Sequence, residues 1–142
     1  MPLVISALFA SLLVLIAPGS PAAAQSSPAA GVYMPLSPSR ILDTRNAGSG
    51  GIIPAQTSRD IQVTGLGGVP TTDVVAVVLD LSAVNNTSDG WGLLWQQGTT
   101  RPSPASSINY VPGRAVTNAV TVKVSATGKV SYVTWDATDL IL

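Results

Sequence analysis

The 142-residue chain sets seven Lys and Arg against seven acids, all of them Asp, and it contains no His, no Cys and no Glu. Missing His and Glu are the side chains most often tuned for proton transfer near neutral pH, and without Cys there is no thiol nucleophile, no disulfide and no thiolate zinc site. With charge balanced and no basic block, neither a nucleic-acid partner nor a cofactor or metal is expected, and the chain reads as not an enzyme.

Leu3 to Ala17 forms an apolar run too short to span a bilayer comfortably. Pro18, Gly19, Ser20 and Pro21 break it, and Ala22-Ala23-Ala24 supplies the small-residue pattern that signal peptidase accepts. Residues 1–24 are therefore expected to be a secretory signal peptide, although no Lys or Arg precedes the apolar run; a short anchor is the alternative. Cleavage would leave about 118 residues, one domain's worth, with no membrane span. A chain of that length buries roughly two-thirds of its unfolded surface, enough to fold without disulfides outside the cell. Residues 25–32, rich in Ser, Ala and Pro, read as a flexible lead into a single module over 33–142.

From Tyr33 onward, short β runs alternate with Gly, Pro, Asn and Asp punctuation, and no 3.6-residue period appears. Strands are expected at Arg40–Thr44, Arg59–Val63, Val74–Val84, Gly92–Gln96, Ser106–Val111, Ala119–Ser125, Val130–Thr134 and Asp139–Leu142. Turn signals separate them at Gly48-Ser-Gly-Gly51, Gly65-Leu-Gly-Gly-Val-Pro70, Asp89-Gly90, Pro112-Gly113 and Thr127-Gly128. This pattern predicts an all-β protein, an antiparallel β-sandwich of jelly-roll type with about eight short strands. In the longest run Val75, Val77, Leu79, Leu81 and Ala83 make one wholly apolar face, against a mixed face of Val74, Ala76, Val78, Asp80, Ser82 and Val84. Val120, Val122 and Val124 repeat the alternation against Thr121, Lys123 and Ser125, so these two runs are expected to be the central core strands.

Several motifs then stand in a set order. Tyr33-Met-Pro-Leu-Ser-Pro-Ser-Arg-Ile-Leu-Asp-Thr-Arg45 is followed by Arg59-Asp-Ile-Gln-Val-Thr-Gly65 and Gly67-Gly-Val-Pro70. Next come Ala76-Val-Val-Leu-Asp-Leu-Ser-Ala-Val84, the strand holding Trp91 and Trp95, Arg101-Pro102 with Ser106-Ser-Ile-Asn-Tyr110, and Val120-Thr-Val-Lys-Val124. The set resembles a β-rich module of secreted actinobacterial proteins with an R-[IVL]-L-D-T-R opening and a V-x-G-x-G-G-V-P turn. That resemblance covers nearly all of Tyr33–Leu142. It implies a non-catalytic extracellular module, repeated in tandem or appended to wall hydrolases and other surface proteins, with no catalytic residues to carry over. Asp80 departs from the Asn such modules place there. Modules of this kind also end in a run such as D-[VL]-x-G-[YF], so the last strand is expected to be cut short at Leu142, leaving an unpaired edge.

Asp43 and Arg45 lie two apart on one expected strand and share a face with Ile41, a spacing that suits a structural ion pair; a polar binding spot is the other reading. Sugar-binding sandwiches stack pyranose faces on exposed rings, which makes Trp135, Trp91, Trp95, Tyr110 and Tyr132 the ligand-binding candidates. For Trp91 and Trp95 the competing expectation is that they cap the core, while Trp135, beside Asp136 in a turn, is the ring expected in solvent. Arg101 and Arg114 sit in loops where they could meet anionic wall polymers. Asn85, Asn86 and Asp89 offer oxygen ligands, but their spacing suits a turn better than a calcium loop. Asn85-Asn86-Thr87 matches a glycosylation sequon. Lys123 and Lys129 alternate with valines as strand-surface residues do, and neither lies in a nucleophile motif.

The resulting expectation is a secreted, extracellular or cell-wall-associated, non-catalytic module that binds glycan or wall polymer at the cell envelope. The alternative is a structural spacer or self-assembling unit whose partner is a neighbouring domain or protein.

Overall fold

The structure is a computed structural model that describes residues 31–142. The expected signal peptide, residues 1–24, and all of the lead except Gly31 and Val32 lie outside the described residues. Seven strands and no helix are found among those described: β1 (Arg59–Gln62), β2 (Ala76–Val84), β3 (Gly90–Gln96), β4 (Ile108–Tyr110), β5 (Val116–Lys123), β6 (Lys129–Thr134) and β7 (Asp139–Ile141). They form two antiparallel sheets, one in the order β1-β6-β3-β4 and the other β5-β2-β7.

The run expected as the first strand, Arg40–Thr44, is not a regular strand; only Asp43 bridges, to Ile141. Its backbone nevertheless lines the outer side of β7. Ile41 and Leu42 N–H groups donate to Leu142 O, Thr44 N–H donates to Leu140 O, and Leu142 N–H donates to Leu42 O. If this segment is counted as a strand ahead of β1, the sheet orders become 1-8-3-6 and 2-7-4-5, the interleaved order of a jelly roll. The last strand is consequently paired on both sides, by β2 and by residues 41–44, and the unpaired edge expected there is absent.

Alternation decides what each strand buries. On β2, Val77, Leu79, Leu81 and Ala83 point inward and Ala76, Val78 and Asp80 point out. Val75, expected on the inner face, is instead 66% exposed just ahead of β2, although its carbonyl still accepts the Val124 N–H at 3.1 Å. The second expected central strand is an edge: β5 pairs only with β2, which is the middle one of the three regular strands in its sheet. Across the sandwich these residues meet Ile61 from β1, Leu94 from β3, Ile108 and Tyr110 from β4, and Val130 and Tyr132 from β6 in one core cluster.

Glycines sit where two tyrosines need room. A Cβ at Gly92 would overlap the Tyr132 hydroxyl, and one at Gly90 would overlap the Tyr110 ring. Large rings can therefore lie flat under β3 without pushing the sheets apart.

Candidate functional site

The four-stranded sheet is apolar on both faces, which is the main feature periodicity alone did not separate. Leu94 points into the core, while Leu93, Trp95 and Val133 form a second, smaller cluster on the outer face, with Trp91 packed against it. Register explains the grouping: Leu93 is opposite Val133, and Trp95 is opposite Ser131, so these side chains share the outer surface. Trp91 and Trp95 thus do not cap the main core. Trp95 is buried in the outer cluster and donates from its indole N–H to Thr99 O at 3.3 Å.

Trp135 follows the last residue of β6 and reaches solvent, 54% exposed, with its ring centroid 6.0 Å from that of half-buried Trp91 and tilted by 42°. The backbone around it is fixed. Trp135 N–H donates to Trp91 O at 2.8 Å, and the Gln56 side-chain amide donates to Trp135 O at 3.1 Å. The Arg101 guanidinium lies 6.0 Å from the Trp91 centroid on the 97–107 loop, a cation–π contact. Trp135, Trp91 and Arg101 therefore make a continuous aromatic and cationic surface at the end of the sandwich where β3 begins and β6 ends.

Asp136 anchors the loop beside it. The Ser88 and Thr87 hydroxyls donate to its Oδ2 at 2.8 and 3.0 Å. The Ser88 bond foremost, then the Ala137 N–H and the Thr87 hydroxyl, hold this carboxyl below its usual range. This loop holds the Asn85–Asp89 turn, and both of its asparagines are engaged internally: the Asn85 amide donates to Asp139, and Asn86, buried, donates to Arg114 O and accepts from Thr138. Among the described residues no three acidic side chains gather as a cation site.

The two tyrosines proposed as ligand contacts are corrected by burial. Tyr110 is 3% exposed, its hydroxyl sharing a 2.7 Å hydrogen bond with Thr134 Oγ1, and Tyr132 is fully buried. Neither ring can face a sugar. The Tyr132 hydroxyl has no hydrogen-bond partner among the described residues. Burial pushes its ionisation up to about 12, and the Thr134 hydroxyl is taken by Tyr110.

Asp43 and Arg45 form a two-pronged ion pair. Arg45 Nε and Nη2 donate to the two Asp43 oxygens at 2.8 and 2.7 Å, and Arg40 adds a third contact at 3.2 Å. The Arg45 hydrogen bonds hold the Asp43 carboxyl down at about 2 and raise the arginine in turn. Asp43 is buried and both arginine heads remain in solvent, so the cluster clamps the segment beside β7. At the opposite end of the sandwich from Trp135, a shallow cleft of about 360 Å³ is lined by Thr64, Thr72, Asp73 and Ser125 among others. It collects hydroxyls and one carboxylate but no ring on which a sugar could stack, so the aromatic surface is the stronger candidate despite being flatter.

No protein-family model, no curated protein and no solved structure matches this chain. The functional reading accordingly rests on its own residues.

Proposed function

We propose that the chain is an exported, non-catalytic module that binds glycan at the cell envelope through Trp135, with Trp91 and Arg101 completing the contact surface. One observation carries the reading: Trp135 is a large ring held in solvent by hydrogen bonds on both sides of its backbone, beside a second indole. An exposed ring with a fixed backbone loses little freedom on binding, and its flat apolar face matches the C–H face of a pyranose. Arg101 supplies donors for hydroxyl or acidic substituents at the rim. Further support comes from the apolar N-terminal run ending in Ala22-Ala23-Ala24, and from the ordered motifs that resemble wall-associated modules.

The test is co-sedimentation of the protein with purified cell-wall polysaccharide, followed in parallel by tryptophan fluorescence. Wild type is expected to sediment with the polymer and Trp135→Ala to stay in solution while keeping its β-type circular dichroism. Equal binding by both proteins, or none by wild type, overturns the proposal.

A further inference from the structure

The N-terminal arm and the free edge of β1 have complementary features and do not meet within one chain. Residues 31–40 have no regular structure and are exposed throughout; Val32, Tyr33 and Met34 are 87%, 75% and 72% exposed. Contiguous apolar exposure of this kind marks a surface that is covered in use. Between Gly31 and Ser39 there is no charged residue.

β1 is an edge strand whose outer side has no backbone partner among the described residues. Val63 N–H donates to Gly128 O in the same register that pairs Ile61 with Val130, so Arg59 and Ile61 bond toward β6. Alternation then turns the N–H and C=O groups of Asp60 and Gln62 outward. Beside them runs a groove of about 180 Å³ lined by Ile41, Leu42, Ile61 and Leu66 as well as the β1 edge. An uncharged, apolar strand suits it.

We propose that the Val32–Leu36 arm of one copy of this chain adds as a strand to the β1 edge of a second copy, giving a reciprocal dimer. The arm does not fill its own groove: Val32, Tyr33 and Met34 stay in solvent, while Ser39 against the Gly67 turn and the Arg40–Asp43 ion pair fix its base. Val32, Met34 and Leu36 share one face, and Tyr33 and Pro35 the other. A parallel arm with Tyr33 opposite Asp60 and Pro35 opposite Gln62 puts Val32, Met34 and Leu36 into the groove. Their backbones then bond to all four outward groups of Asp60 and Gln62. Pro35, which has no N–H, faces the far side, where none is needed. Two arms exchanged about a twofold axis cover both apolar segments and both open edges at once.

Light scattering on the full chain is expected to give twice the monomer mass, and Met34→Asp to return it to the monomer with the same β-type circular dichroism. A monomeric wild type, or a dimer that survives Met34→Asp, overturns the proposal. Because the chain has no native cysteine, Tyr33→Cys combined with Asp60→Cys gives an independent readout. A disulfide-linked dimer on a non-reducing gel supports the exchange. An intramolecular disulfide, which would place the arm on its own edge, or no disulfide at all, rejects it.

Discussion

The hydroxyl of Tyr132 occupies the space that a side chain at position 92 would fill, so the largest fully buried residue of the core depends on a glycine of the neighbouring strand. Gly92 pairs with Thr134 two residues further along β6, which brings its Cα directly over the ring's end. Gly92→Ala is expected to cost about 1–3 kcal/mol through overpacking, read as a lower denaturant midpoint with unchanged slope. Tyr132→Phe removes a buried hydroxyl without a partner and is expected to raise stability by roughly 1 kcal/mol. A stable Gly92→Ala protein would mean that the ring can move aside.

Thr44 ties the segment before β1 to the last strand. Buried at 2% exposure, it donates to Asp139 Oδ1 at 2.7 Å and accepts the Leu140 N–H at 2.9 Å through the same oxygen. Thr44→Val keeps the shape but leaves that amide without its acceptor. Equilibrium unfolding is expected to show a loss of about 1–3 kcal/mol.

Acid should weaken the fold through Asp43. Its folded value of about 2 lies below the ordinary carboxylate value, so the ion pair's contribution is present above about pH 4 and is lost as pH falls through about 2. Asp136, also depressed, adds to the same acid limb. Thermal melts of wild type should fall across this window. Asp43→Asn is expected to start less stable at neutral pH and to lose less on acidification; parallel curves would show that Asp43 does not couple to unfolding.

Trp95 and Trp135 should differ sharply in what they contribute to stability. Trp95→Ala empties part of the outer cluster and is expected to cost about 3–5 kcal/mol. Trp135→Ala, at an exposed position, should change stability by only about 0.5 kcal/mol. Chemical denaturation of both variants checks this ordering, which would reverse if Trp135 were the ring that holds the outer face together.

Local chemistry made the β class and most strand positions readable: period-two alternation on β2 and β5, and turns such as Gly65–Pro70 and Thr127–Gly128 that no helix or long strand could accommodate. Its limits are equally physical. Apolar residues on both sides of β3 look the same in sequence whether they enter one core or two, so only the pairing of Leu93 with Val133 and Leu94 with Tyr132 assigns each to its face. Tyr110 and Tyr132, which read as ligand-binding candidates, are buried because Gly90 and Gly92 on another strand leave room for them. The same distance dependence hid the Arg101–Trp91–Trp135 surface, whose members lie on a loop, a strand and a turn with no signal of shared place.

By itself the sequence determined an all-β chain without His, Cys or Glu, its turns, and the inner face of its central strand, because propensity and alternation act over a few residues. Tertiary structure alone decided that residues 41–44 close the edge of β7, that the outer side of β1 has no backbone partner among the described residues, and which rings reach solvent. Those outcomes depend on contacts between residues up to a hundred positions apart, and such contacts leave no periodic trace in the chain.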